Sequence, residues 1–235
     1  MFNYAVKYYD LHENPCTKAG SMGKSHAEEM NFWTKAEFEQ FIVAVQDKPA
    51  SYTAFMTLYY TGMRVGELCA LTPADVNLVG HTITINKTFQ RINGRDVIWP
   101  PKTPKSNRVV TIPQTLANCL KEYMDKCYEI QPDDRLFPYT KSFLNHEMLR
   151  GCKKSGVKKI RVHDLRHSHA SLLIEMGCQP LLIADRLGHE KIQTTLNTYS
   201  HLYPNKQAEV AAQLENVING TTVPNGSQMA GVANL

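Results

Sequence analysis

Four short segments carry side chains suited to chemistry on an anionic centre. Arg64 and Glu67 stand three apart in TGMRVGEL, and Lys102 heads PKTPKSNRVVTIP. His163 and Arg166 stand three apart in HDLRHSHAS, and His189 precedes Tyr199 by ten residues in LGHEKIQTTLNTYSH. An arginine fork grips two oxygens at once and keeps its charge at any ordinary pH. Histidine exchanges protons near neutrality. A tyrosine hydroxyl, with a pKa of about 10, is a poor nucleophile unless nearby cations favour its phenolate. Fixed cations of this kind would stabilise a phosphoester that gains charge as a further oxygen attacks it.

Each segment also has a plainer reading. Arg64 and Glu67 could be a surface pair on a helix, Lys102 a solvated turn lysine, and His163 with Arg166 a local cap. His189 follows Leu187-Gly188, a helix-stop signal, and Tyr199 could be an amphipathic core tyrosine. Two other motifs point elsewhere. GSMGKS ends like a phosphate-binding loop, but the position five before Gly23 is Lys18 rather than glycine, and no strand precedes it. His163 and His167 have the i,i+4 spacing of zinc ligands, yet Asp164 stands where the zinc-protease pattern has glutamate, and a third ligand is missing. There is no carboxylate cluster suited to magnesium, so no cofactor is expected.

The elements that would position these side chains are mostly helical. Thr34 and Glu37 have capping-box spacing and open a helix with Phe38, Phe41, Ile42 and Val45 on one face. ASYTAFMTLYYTG predicts a helix that stops near Gly62, and RVGELCAL predicts the next one. From His81 the periodicity changes to that of strands: HTITIN, KTFQRI, RDVIW and NRVVTIP, with Asn93-Gly94 as a tight turn. Helical patterns return at 114–130, 142–154, 163–176, 180–187, 191–203 and 205–218. The expected fold is α+β, mainly α, with a small three-stranded antiparallel sheet.

The apolar share of 43% and charged share of 20% suit a globular protein. No stretch approaches the roughly 20 apolar residues of a membrane span, and MFNYAVKYYD lacks a signal-peptide pattern. A cytoplasmic protein without a membrane role is the expectation. The six cysteines are scattered with no CxxC pair, which predicts reduced, buried thiols. The net charge of +4 is only mildly basic, but Lys153, Lys154, Lys158, Lys159 and Arg161 crowd together just before HDLRHSHAS. That run is either a solvated loop or a phosphate-binding stretch.

Taken in order, R-x-x-E-L, a lysine beside a strand, H-x-x-R-H, L-G-H and tyrosine resemble the tyrosine recombinase (phage integrase) family over residues 33–203. The likeness is greatest to integrases of phages and conjugative transposons. The resemblance implies a catalytic set of Arg64, Lys102, His163, Arg166, His189 and Tyr199, supported by Glu67. Lys105 is a second candidate for the lysine and for DNA contact, and Tyr203 a second candidate for the nucleophile. The implied reaction is attack of tyrosine on DNA to give a 3′-phosphotyrosine and a free 5′-hydroxyl, without metal or ATP. His163 is the implied proton acceptor and Lys102 the implied acid. The run Lys153 to Arg161, with Lys158 and Lys159, would hold the DNA backbone.

By the same resemblance, residues 1–12 would end a truncated core-binding domain begun outside this sequence. Residues 13–31 would be a linker, 32–218 the catalytic domain and 219–235 a flexible tail. Partners would be double-stranded DNA, further copies of the chain (a tetramer on paired sites) and an excision accessory factor. NKQAEVAAQLENVIN would dock on a neighbouring copy or on its own domain. Two competing expectations are a type IB topoisomerase and a DNA-binding remnant that does not cut.

Overall fold

The computed structural model describes residues 1–19, 31–101, 103–203, 211, 214, 215, 217 and 218. Lys102, the GSMGKS motif, the 219–235 tail and much of the 205–218 segment lie outside the described residues. Helices α1 (Phe2–Tyr8) and α2 (Pro15–Ala19) bury no residue. The buried core begins at Trp33, whose backbone N–H donates to Ser168 Oγ (2.9 Å) and whose indole N–H donates to the Lys158 carbonyl (2.8 Å). These bonds tie the start of the core to segments more than a hundred residues later.

The capping box forms as the spacing predicts. Thr34 Oγ1 accepts from the Glu37 N–H, and the Glu37 carboxylate accepts from the Thr34 N–H. Helix α3 (Lys35–Ala44) then lays Phe38 and Phe41 against α4 (Pro49–Thr61), where Phe38 stacks on Tyr59 at 3.6 Å. Helix α4 is buried nearly all round although it is rich in threonine. Thr57 and Thr61 donate to carbonyls four residues back, which satisfies hydroxyls that would otherwise be costly in a core. The helix ends at Gly62, which is left-handed (φ 65°), and α5 (Val65–Ala70) follows at once.

The expected three-stranded antiparallel sheet has the order β1 (Val76–Asn77), β2 (Thr82–Ile85), β5 (Arg108–Thr111). Ile83, Ile85 and Val110 point into the core. Strands β3 (Thr88–Ile92) and β4 (Arg95–Trp99) pair only with each other, forming a separate hairpin across the Asn93-Gly94 turn. The hairpin leans on α5 at Gly66, where an added Cβ would lie 2.5 Å from Thr88 Oγ1. That close approach is what glycine permits there.

Helices α6 (Gln114–Asp125) and α7 (Lys141–Ser155) pack against α4 and α3 respectively. HDLRHSHAS does not form one continuous α-helix. A 3₁₀ turn, Val162–Asp164, leads into α8 (Leu165–Glu175), so His163 and Arg166 straddle a junction. Helix α9 (Pro180–Leu187) ends at left-handed Gly188, and α10 (Ile192–Tyr199) carries Tyr199 as its last residue. Tyr199 packs into a small second core with Ala170, Ile174, Ile183 and Leu187. All six cysteines are free; Cys69 and Cys152 are buried, whereas Cys16 is exposed, contrary to expectation, because its short helix packs on no core.

Candidate active site

A cleft of about 820 Å³ opens where α5, the β3–β4 hairpin, the start of α7, the turn before α8 and the loop after α9 converge. Its walls include Arg64, Glu67, Arg161, His163 and His189, all singled out from sequence, together with Lys87 and Lys141, which were not.

Glu67 organises one wall. Its side chain is only 5% exposed, and its carboxylate accepts four hydrogen bonds from two arginines. Arg64 contributes its backbone N–H (2.8 Å) and Nη1 (2.8 Å). Arg108 contributes Nη2 (2.8 Å) and Nη1 (3.3 Å). Burial alone would raise the Glu67 pKa, but hydrogen bonds and charge from Arg108, then from Arg64, hold it below the usual carboxylate range. Arg108 also donates Nε to the Arg186 carbonyl (2.9 Å) and packs beside Gly188, where an added Cβ would sit 3.0 Å from its Nη1. One buried ion cluster thereby couples Arg64 to the turn that carries His189.

Arg166 is buried at 4% exposure. Its Nη1 donates to the Gly62 carbonyl (2.8 Å) and its Nη2 to the Leu187 carbonyl (2.6 Å). Both acceptors lie at helix C-termini, where carbonyls lack intrahelical partners and carry partial negative charge. Burial, then Arg64 and Arg108, push the Arg166 pKa down to about 9, so it remains a cation at neutral pH. A cation set beside other cations is primed for an anion.

The two histidines of the cleft wall are pushed toward the neutral form. His189 donates to or accepts from Thr195 Oγ1 through Nδ1 (2.7 Å), and burial, then Arg166 and Arg64, lower it to about 4. His163 is lowered by burial and then by Arg166. Tyr199 is 1% exposed and is not part of the cleft wall, although Arg166 acts on it electrostatically. Burial raises its hydroxyl to about 12, with Arg166 opposing. That hydroxyl bonds to His167 Nδ1 at 2.8 Å. Tyr203 packs beside the same apolar cluster, and its hydroxyl has no hydrogen-bond partner among the described residues.

The other expected DNA contacts are dispersed. Lys105 lies in a 3₁₀ turn (Pro104–Ser106) and is absent from the cleft wall, as are Lys153, Lys154, Lys158 and Lys159. Lys154 pairs with Asp47 (3.6 Å) and Lys158 with Glu37 (3.3 Å). Arg161 pairs with Asp164 (2.8 Å) at the cleft mouth. Sequence reasoning missed Arg108, Lys87 and Lys141, and it weighed His167 only as a zinc ligand. The signal for Arg108 was Glu67, a carboxylate in an apolar helix that needs more than one cation to be buried.

The model of the phage integrase family matches residues 31–206, which takes in every element that builds this cleft. The chain belongs to the phage integrase family. Among relatives in the phage integrase family, it is 33% identical to the ICEBs1 integrase of Bacillus subtilis (strain 168) over 93% of this chain and 63% of that protein. It is 30% identical to the integrase of Staphylococcus phage L54a, over 92% of this chain and 71% of that protein. The chain thus spans just under two thirds of the length of the ICEBs1 integrase. The Tn1549 transposon integrase, solved in complex with circular intermediate DNA, superposes with a TM-score of 0.73 at 21% identity, over 91% of this chain and 76% of that one. The catalytic domain of bacteriophage HP1 integrase gives 0.57 at 22% identity, over 83% of this chain and all of that domain. The integrase fold is therefore mainly helical with small antiparallel sheets, as expected.

Proposed function

We propose that this chain is the catalytic domain of a site-specific DNA recombinase that cleaves and rejoins strands through Tyr199. One observation carries the reading: Arg166 is buried between two helix C-termini while it acts electrostatically on Arg64, His163, His189 and Tyr199. Such an array suits a scissile phosphate, because preorganised cations stabilise the charge that grows on phosphorus oxygens. Arg64, held by Glu67, and Arg166 would bind the non-bridging oxygens, with His163 and His189 as further donors.

Attack by the phenol oxygen forms a Tyr199–O–P bond and breaks the bond from phosphorus to the 5′-oxygen. The leaving oxygen takes a proton. Lys87, on the cleft wall and paired with Asp75 (2.6 Å), is a candidate for that acid alongside Lys102 and Lys105. One phosphoester replaces another, so a 5′-hydroxyl from a second strand can reverse the step without ATP. Exchange between two duplexes involves four strands, which favours a tetramer of full-length protomers on paired double-stranded sites, with an accessory factor biasing excision. Arg161 and Lys141 would meet the DNA backbone first, and the Lys153–Lys159 run would add contacts outside the cleft. Residues 1–12 and 13–31 fit the end of a core-binding domain and its linker. Among the described residues no helix is long and apolar enough to cross a membrane, and the proposed site of action is the cytoplasm.

A nicked suicide duplex tests this. Wild-type protein should become covalently linked to DNA, and Tyr199→Phe should not. An adduct that persists in Tyr199→Phe overturns the nucleophile assignment. Strand exchange between two sites then separates recombination from relaxation of a single duplex.

A further inference from the structure

The Tyr199 hydroxyl must lose its proton to attack, yet it is buried and makes its hydrogen bond to a residue that the catalytic set above does not include. That residue is His167, whose Nδ1 lies 2.8 Å from the phenol oxygen. His163, the implied acceptor, makes no hydrogen bond to Tyr199 among the described residues; its ring meets the edge of His167 at 5.7 Å between centroids. We infer, on the reading that Tyr199 is the nucleophile, that His167 is the base that takes its proton.

The surroundings make this transfer dependent on DNA. The charged and titratable groups acting on His167 are Arg161, His163 and Asp164 from the preceding turn and Arg166 on its own helix. His189 and Tyr199 act from the elements that follow. Burial, then His163, lower His167 to about 4, with Asp164 opposing and Arg166 and Arg161 assisting. It is therefore neutral at physiological pH. A neutral imidazole protonated at Nε2 offers a lone pair at Nδ1 to the phenol O–H.

At rest, a hydroxyl near 12 and an imidazole near 4 keep the proton on oxygen. Burial remains, but a bound phosphate brings negative charge to Arg166 and His163, offsets their part in depressing His167, and so raises its basicity. The balance is simple: the proton moves from the Tyr199 oxygen to His167 Nδ1, the oxygen bonds phosphorus, and the 5′-oxygen leaves with a proton from the acid. In rejoining, His167 returns its proton to the phenol.

The test is single-turnover adduct formation on the suicide duplex, measured between pH 6 and 9 with the whole chain. His167→Ala should fall by about a hundredfold at neutral pH, the usual contribution of a positioned base. Its rate should climb with pH toward the phenol pKa, and added imidazole should restore part of it. His167→Asn, which keeps a polar contact but cannot take the proton, should lose as much while melting like the wild type; it decides the matter if His167→Ala does not fold. Rates within a few-fold of wild type, or a loss without pH dependence and without imidazole rescue, overturn the role of His167 alone. An adduct that is absent from wild type, or that persists in Tyr199→Phe, overturns the nucleophile reading and this one together.

Discussion

Glu67 and Arg108 lie 41 residues apart in sequence and face each other through two nitrogen–oxygen contacts of 2.8 and 3.3 Å. Both side chains are almost fully buried, at 5% and 6% exposure. The same carboxylate binds Arg64, and the same guanidinium braces the turn leading to His189. Removing one member of a buried pair leaves the other charge uncompensated. Arg108→Ala should therefore destabilise the domain by about 3–5 kcal/mol, read from urea unfolding. A change under about 1 kcal/mol, the scale of exposed pairs, would contradict the buried cluster.

The two arginines assigned to the scissile phosphate, Arg64 and Arg166, should dominate catalysis. Arg64→Ala and Arg166→Ala are each expected to slow adduct formation by on the order of a hundredfold or more. Arg166→Lys should also fail, because one ammonium cannot span the Gly62 and Leu187 carbonyls as a planar fork does. Rates close to wild type in single-turnover assays would remove both residues from the phosphate-binding role.

Lys87 and Lys102 can be separated by the leaving group. A substrate whose 5′-bridging oxygen is replaced by sulfur needs little help from an acid. The variant that loses about a hundredfold or more on normal DNA, yet recovers on the sulfur substrate, identifies the acid. Recovery in Lys102→Ala and not in Lys87→Ala would take Lys87 out of that role.

Gly62 supplies a carbonyl to Arg166 from a left-handed conformation, and an added Cβ would lie 2.6 Å from the His169 ring. Gly62→Ala should cost about 1–3 kcal/mol from the backbone alone, and the clash adds to it. It should also weaken cleavage by shifting the carbonyl that holds Arg166. Denaturant melts and adduct rates measured on the same preparation check both effects.

Acid should destabilise the fold through its buried histidines. His167 and His189 are lowered to about 4, and His169 to about 3, in each case chiefly by burial. A folded pKa below the unfolded value of 6.5 means that the unfolded chain takes up protons first. The associated stability is whole above pH 6.5 and drains away as pH falls toward about 4. Denaturant melts at stepped pH should show this decline, with a shallower slope in His189→Asn. A stability curve that is flat over that range would contradict the neutral, buried state.

Much of the architecture was legible because it rests on local rules. The Thr34–Glu37 box, the Gly62 and Gly188 stops and the Asn93-Gly94 turn are satisfied within a few residues of chain, so they stand in the sequence as plainly as in the fold. The same holds for spaced motifs such as R-x-x-E-L and H-x-x-R-H, whose chemistry follows from residue type. The split of the strands into a sheet and a separate hairpin was not legible. Pairing is a choice between partners that can be distant in sequence, and β3 pairs with β4 while lying against Gly66 of α5.

By itself, then, the sequence determined which side chains were available and the helices and turns that carry them. Only the tertiary structure decided their company. It buried Arg108 against Glu67, moved Tyr199 off the cleft wall and onto His167, brought Lys87 to the cleft, and split the basic run after Cys152, with Arg161 on the cleft wall and the four lysines away from it. Burial and long-range charge set those outcomes. Both depend on what packs around a residue from distant parts of the chain, which spacing along the chain does not encode.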